Sequence, residues 1–484
     1  MKFPLQIVGL GPGDPGLITA EVWEVLNAAR DVYLRTAQHP AVQGLPEHLA
    51  CHAFDHLYET LEEYEAVYEA IVDELMKQAG EAGGVVYAVP GDPVVGEATV
   101  TRLLQVAAER NLPVSIHHGV SFIEPCLELA GWDALDGLQI ADALDVAAAY
   151  HPAFHPDAPA LIGQLYSQLV ASDVKLTLMN QYPDEHGIVL LHAAGTSQAS
   201  QEQISLARLD HSPNIGSLTA LFIPPLGRPS AFESFQTTVA HLRAPDGCPW
   251  DREQTHESLR EHLLEEAYEV LGALDQGDLD ALEEELGDLL LQIVLQAQIA
   301  TEEGVFRMAD VIARIQDKII RRHPHVFGDL DIEDVREVLH NWEALKEAER
   351  NAAGEGKGLL DGVPQGLPAL AQADEIQSRV ARVGFDWTDL DSVRAKVEEE
   401  LREVEQAESP REMEQEIGDL LFAVVNYARW REVDPEAALR KANRRFRRRF
   451  AAIERAARAE GRGLEELTLE EMEDLWESAK DDED

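Results

Sequence analysis

Apolar and polar positions follow two different rhythms along this chain. Up to about residue 225, short apolar runs alternate with amphipathic stretches. Leu5-Gln6-Ile7-Val8, Asp31-Val32-Tyr33-Leu34, Val85-Val86-Tyr87-Ala88-Val89 and Val114-Ser115-Ile116 read as strands. Helical periodicity runs over 19–29 and 98–109. Lys175-Leu176-Thr177-Leu178-Met179 and Ile188-Val189-Leu190-Leu191 read as further β-type segments. Strands alternating with helices imply a largely parallel sheet. Pro224-Pro225-Leu226-Gly227 punctuates the end of this region, and from Ser234 the rhythm becomes helical throughout. The fold class expected is therefore multidomain: an N-terminal α/β domain over 1–225, then two all-α helical bundles over 235–350 and 367–484. The Gly-rich segment 351–366 between the bundles reads as a linker.

Composition narrows the picture. Ninety acidic residues against 40 basic give a formal net charge of −50, which repels nucleic acid and anionic membrane. No apolar run is long enough to span a bilayer, and Leu5 to Leu10 is too short for a signal peptide. Cys51, Cys126 and Cys248 are far apart and lack metal-ligand spacing, as expected of a protein of the reducing cytoplasm.

Within the acidic surplus one arrangement occurs twice. Glu265, Glu266 and Glu269 precede Glu285 and Asp288; Glu399, Glu400 and Glu403 precede Glu416 and Asp419. Each set is followed by bases four apart, Lys318 with Arg322 and Arg445 with Arg449. Each ends on Trp-x-x-x-Lys, Trp342 to Lys346 and Trp476 to Lys480. A single Glu-x-x-Glu is ordinarily a solvated helix face. The same acids, bases and Trp-Lys in the same order twice are an internal repeat. Residues three apart share a helix face, and Gln276-Gly277-Asp278 reads as a tight connection that returns the second helix along the first. Leu263, Leu264, Val270 and Leu271 are the expected core side of the first helix, and Leu286, Leu289, Leu290 and Ile293 that of the second. Four carboxylates at close quarters call for a hard divalent cation, Mg²⁺ first and Mn²⁺ as a substitute. Cations beside such a cluster suit a substrate that brings phosphates. A Trp there either stacks on a base or fills a core.

At these residues the chain resembles MazG, a nucleoside triphosphate pyrophosphohydrolase family of all-α fold. The resemblance covers roughly 235–484 and includes Gly247-Cys248-Pro249-Trp250-Asp251, Arg321-Arg322-His323-Pro324-His325-Val326-Phe327 and Val383-Gly384-Phe385-Asp386-Trp387. It implies that Glu266, Glu269, Glu285 and Asp288, with Glu400, Glu403, Glu416 and Asp419, bind Mg²⁺. It also implies that the bases, Trp342, Trp476, Lys346 and Lys480 contact a nucleotide. Arg445 stands where a Lys is expected. Such proteins are usually dimers, so a homodimer through the helical domains is implied.

The first domain resembles tetrapyrrole (corrin/porphyrin) methylases, which use S-adenosylmethionine. Gly9-Leu10-Gly11-Pro12-Gly13-Asp14 follows the first strand, Gly91-Asp92-Pro93 a later one, and Gly119-Val120-Ser121 another. The cofactor positions implied are Gly9, Gly11, Gly13, Asp14, Gly91, Asp92, Pro93 and Ser121. The whole arrangement is similar to the bacterial YabN-type fusion.

These readings make the helical repeats a Mg²⁺-dependent hydrolase that converts (d)NTPs to NMPs and pyrophosphate. Glu399, or its counterpart Glu265, orients the attacking water as base. The alternatives are a methyltransferase whose helical repeats regulate or dock, a helical interaction module, and a nucleic-acid binder using Arg444-Arg445-Phe446-Arg447-Arg448-Arg449. The acidic remainder of the chain counts against the last.

Overall fold

Short apolar runs form strands where a sheet can bury both of their faces, and around such strands the first half of the chain builds two sheets. The computed structural model describes residues 4–61, 63–80, 84–328 and 358–481, with 330, 332, 334, 337, 338, 341, 342 and 345. The chain divides into two units, Met1–Asp246 and Gly247–Asp484. The helix Phe232–Arg243 falls in the first of them.

The first sheet contains β1 (Leu5–Gly9), β2 (Asp31–Leu34), β3 (Ala50–Ala53), β4 (Val85–Val89) and β5 (Val114–His117), ordered β3-β2-β4-β1-β5 and parallel throughout. Central β4 is buried at every position. Ile7, Tyr87 and Val89 pack into a core with Ile71, Leu75 and Leu103 on one face. Val8, Val86 and Ala88 pack with Val22, Leu26 and Val32 on the other. Burial on both faces explains the unbroken apolar runs.

The second sheet contains β6 (Gln139–Asp142), β7 (Ala160–Gly163), β8 (Gly187–His192), β9 (Ser200–Ser205) and β10 (Thr219–Ile223), ordered β6-β7-β10-β8-β9. Only β6 and β7 pair in parallel; β10 and β9 pair antiparallel to their neighbours. The short connection from β8 to β9 permits a hairpin and forbids a parallel crossover. Residues 175–179 correct the sequence reading. They end a helix, Gln168–Leu178, whose buried Val170, Ala171, Val174, Thr177 and Leu178 follow a helical stripe. The local alternation of Lys175 to Met179 imitates a strand only when those five residues are read alone.

The second unit is helical throughout its described residues. The helices used below are α1 (Leu259–Gln276), α2 (Leu279–Glu302), α3 (Met308–Arg322), α4 (Ala369–Arg382), α5 (Leu390–Gln406), α6 (Pro410–Trp430), α7 (Pro435–Ala459) and α8 (Leu469–Asp481). α1 ends at Gly277, whose φ of 69° is left-handed, and Asp278 then caps α2 by accepting from the Ala281 amide at 3.1 Å. α5 turns into α6 through Ser409 and Glu412, which form a reciprocal cap around Pro410. α1 packs on α2, and α5 on α6.

The apolar faces of these pairs are less covered than the sequence reading expects. Leu263, Leu264, Leu286, Leu290 and Ile293 are exposed, and so are Ile312, Ile315 and Ile319 on α3. α5 and α6 repeat the pattern with Leu401, Ile417, Leu421 and Phe422. Two helices can cover only one stripe of each other, so a wide apolar face needs a further layer. No described helix is long and apolar enough to cross a membrane.

Candidate active sites

Antiparallel packing of α1 on α2 sets the first group of acids side by side. Carboxylate oxygens of Glu266, Glu285 and Asp288 lie within 4.8 Å of one another. α5 and α6 do the same for Glu400, Glu416 and Asp419. Gly287 and Gly418, each next to the Asp, leave open space where a side chain would stand. Burial pushes the Glu266 carboxyl up from the usual range, and its hydrogen bond to Glu269 and the charge of Asp288 add to this. Burial, then Glu269, Glu284 and Asp288, does the same to Glu285. In the second cluster burial, then Glu403, Asp419 and Glu400, raises Glu416. Glu269 and Glu403 therefore act on the clusters electrostatically as fourth members. An all-carboxylate donor set of this closeness fits a hard divalent cation, which removes the repulsion.

The two clusters differ at one position that the sequence reading missed. Lys396, four residues before Glu400, places Nζ 2.7 Å from Glu400 and 3.1 Å from Glu399. Hydrogen bonds to Glu400 and then Glu399 hold its ammonium well above the usual lysine range. Glu400 is buried. In the first repeat His262 stands four residues before Glu266, with Nδ1 3.7 Å from Glu265. Glu265 and Glu399, the expected bases, are exposed beside their clusters.

The basic and aromatic positions are distributed less simply. Lys318 and Arg322 line a hollow along α3 with Arg314 and Arg321. Arg445 lines another with Lys441 and Arg444 on α7. The Arg449 guanidinium carbon stands 5.6 Å from the ring centroid of Trp476. Trp476 also packs against Phe446, 5.0 Å between centroids, and joins a small core with Ile453, Ala457 and Leu467. Lys480 bonds Glu477. Trp342 is half-buried, and Lys346 lies outside the described residues. Asp386, in the Val383–Trp387 string, has a structural task. It accepts from Arg429 at 2.6 Å, from the Trp430 indole at 3.1 Å and from the Trp387 amide at 2.8 Å, which ties the 384–387 turn to the end of α6.

In the first unit three loops meet at the carboxyl ends of β1, β4 and β5. A Cβ on Gly9 would stand 2.5 Å from the Gly91 oxygen and 2.7 Å from the Gly119 nitrogen. Only glycine allows this approach. Gly11 and Gly91 exchange backbone hydrogen bonds of 3.1 and 2.8 Å. Asp92, buried, accepts from the amides of Val94 and Gly119 at 3.0 and 3.2 Å and pairs with His118 at 2.9 Å. Asp14 accepts from the Gly16 amide at 2.7 Å, and the Gly13 Cα faces Thr196 closely. Pro93 abuts Gly9, and Ser121 accepts from the Ile123 amide at 3.0 Å. All the expected cofactor positions thus fall on one edge of the parallel sheet, where α/β folds bind ligands. Beside them a buried ion pair joins Arg35 to Glu97 at 2.7 Å, with Arg35 Nε donating to Tyr58 at 3.3 Å. Burial pushes Glu97 up to about 7 while Arg35 pulls it down.

Comparison with known proteins agrees with this division. The family description "MazG nucleotide pyrophosphohydrolase domain" matches residues 254–327 and 390–452. A MazG nucleoside triphosphate pyrophosphohydrolase/pyrophosphatase of Thermotoga maritima is 48% identical over 250 residues, spanning 51% of this chain and 95% of that protein. The chain belongs to the MazG family. Its two MazG segments contain all eight cluster carboxylates and both basic pairs. The description "Tetrapyrrole (Corrin/Porphyrin) Methylases" matches residues 4–210, which hold the three glycine loops. The uncharacterised protein YabN of Bacillus subtilis is 41% identical over 491 residues, covering 100% of this chain and 99% of its own length. The MazG fusion architecture is therefore shared along the whole chain.

Proposed function

We propose that the helical repeats are a nucleoside triphosphate pyrophosphohydrolase that releases NMP and pyrophosphate. The observation that carries this reading is the pair of carboxylate clusters, each built from two antiparallel helices and each followed by a basic pair. Glu266, Glu269, Glu285 and Asp288 would hold a divalent cation, Mg²⁺ by their chemistry, as would Glu400, Glu403, Glu416 and Asp419. Such an ion supplies neutralisation of phosphate charge and lowers the pKa of water in its shell. The chain's own residues do the rest. Glu399 and Glu265 accept the proton of the water that attacks the α-phosphorus. The α–β phosphoanhydride bond breaks as the new P–O bond forms, and pyrophosphate leaves with the electron pair. Lys396 steadies Glu399 and Glu400 in the second cluster. Arg445 and Arg449, with Lys318 and Arg322 in the first repeat, balance the phosphate charge. Recognition through phosphates leaves the base little constrained.

The three-loop edge of the first unit fits S-adenosylmethionine, because Gly9, Gly91 and Gly119 leave a bare main-chain cradle. The exposed apolar stripes of α1–α3 and α5–α6 support a homodimer through the helical repeats. The charge and the three free cysteines suit the cytoplasm.

The test is a mutant series on the full chain. Glu269→Gln and Glu403→Gln each remove one charge without changing shape. If both repeats turn over, each lowers kcat for its own repeat by about 100-fold or more, and the double variant is inactive. A double variant with normal Mg²⁺-dependent kcat would refute the ligand assignment.

A further inference from the structure

The largest departure from the acidic character of this protein is α7. It carries nine basic and two acidic residues in a chain of net charge −50. Part of that helix meets the end of α1, from the other repeat, and the contact is built rather than incidental. Asp275 is mostly buried there and takes Arg440 at 3.4 Å and Arg444 at 3.2 Å. Arg444 also donates to the main-chain oxygens of Gly272 at 3.5 Å and Asp275 at 3.4 Å, so it closes the carboxyl end of α1.

Next to this junction lies a hollow of about 620 Å³, lined by Lys441, Arg444, Arg445, Arg447 and Arg448 with Asp275 and Gln276. Among the described lining residues Asp275 is the one carboxylate, and two arginines already engage it. No member of either acidic cluster lines it. Arg444 is taken up by Asp275 and Arg448 has an interaction of its own, so the positive charge that an anion would neutralise rests on Lys441, Arg445 and Arg447. The volume falls in the ~300–1,000 Å³ range of small-molecule sites. Guanidinium forks match phosphate oxygens in pairs. A long nucleic acid would have to run on from the hollow over a strongly acidic surface, so a compact ligand is favoured.

We propose that this junction hollow is a binding site for a compact polyphosphate anion, separate from the acidic clusters. The ligand is either free pyrophosphate or the triphosphate of a nucleotide. Because its walls come from α1 of the first repeat and α7 of the second, an occupant ties the two repeats together and lets one repeat sense the anions that the other consumes or releases. The site needs no divalent ion and no turnover; it shares Arg445 with the hydrolase reading, so its test rests on Lys441 and Arg447, which that reading does not use.

The experiment is isothermal titration of the full chain in EDTA, where metal-dependent substrate binding is removed. The titrants are pyrophosphate, ATP, AMP and a short RNA. Wild type binds pyrophosphate or ATP, more weakly as KCl is added, and AMP much less. Tighter pyrophosphate binding assigns the product as ligand; tighter ATP binding assigns the nucleotide. Lys441→Gln with Arg447→Gln, neither of which is placed in the hydrolytic machinery, weakens binding about tenfold or more. Glu285→Gln with Glu416→Gln leaves it unchanged. The single variants Lys441→Gln and Arg447→Gln are measured as well, each against its own circular-dichroism melt, in case the pair fails to fold. The proposal is overturned if wild type gives no heat with either polyphosphate, or if RNA binds and they do not. It is equally overturned if the acidic-cluster variants lose binding while Lys441→Gln and Arg447→Gln retain it.

Discussion

At the scale of single residues, charge is controlled by what each side chain is pressed against. Glu97 and Arg35 are both largely buried and bonded at 2.7 Å. Removing one partner leaves the other as an uncompensated internal charge. Glu97→Ala is therefore expected to destabilise the first unit by about 3–5 kcal/mol, measured by urea unfolding. Replacing both with leucine should recover most of that loss. An equal loss in the double variant would mean that shape, not charge, is what Glu97 supplies. Residues also mark where the sequence stops being legible. The six acids that the helices bring together, with Glu269 and Glu403 as their charged neighbours, could be read from the sequence because the pattern occurs twice in one order. Lys396 could not, because a lysine four residues before a glutamate on a helix is an ordinary surface pattern. Asp275 could not either, since its partners Arg440 and Arg444 are 165 and 169 positions away.

At the scale of elements, four strands of the first sheet were legible from their apolar runs, most clearly β1 and the fully buried β4, whereas edge strand β3 (Ala50–Ala53) is mostly exposed and gave no such signal. The end of the helix Gln168–Leu178 was misread because five residues cannot separate a period of two from one of 3.6. Helices α1, α2, α5 and α6 were legible as amphipathic, but their apolar stripes are wider than one neighbour covers. Which stripe is core and which is interface depends on what else packs there, and one chain's sequence does not carry that. The glycine loops act as an element in the same sense. A Cβ on Gly119 would stand 2.4 Å from the Gly91 oxygen and 2.8 Å from the Gly9 oxygen. Gly119→Ala must therefore spread the loops at the ends of β1 and β4. Binding of S-adenosylhomocysteine should fall at least about tenfold with an unchanged circular-dichroism spectrum. Unaltered affinity would place the cofactor elsewhere or nowhere.

At the scale of the whole molecule, the clusters cost stability in exchange for a cation site. Glu266, Glu285 and Glu416 have folded-state pKa values raised above those of an unfolded chain. Between the ordinary and the raised value the folded protein binds more protons, so stability falls as pH rises through that window and stays lower above it. A bound divalent ion offsets that repulsion. At neutral pH, Mg²⁺ at about 100 times its Kd should add about 2.7 kcal/mol per site. For a unit of this size that corresponds to roughly 2–4 °C in Tm per kcal/mol. Scanning calorimetry with and without Mg²⁺, at pH 5 and pH 8, measures both effects. A Mg²⁺ shift equal at the two pH values, or absent at both, would contradict the electrostatic account.

On the reading proposed above, the duplicated carboxylate clusters make the helical repeats a metal-dependent pyrophosphohydrolase. The most direct measurement is pyrophosphate and NMP release from each (d)NTP by the full chain, with Mg²⁺ and with EDTA. Equimolar NMP and pyrophosphate are expected in Mg²⁺, none in EDTA, and recovery on adding Mn²⁺. No turnover of any (d)NTP with either metal, or release of orthophosphate in place of pyrophosphate, would contradict it.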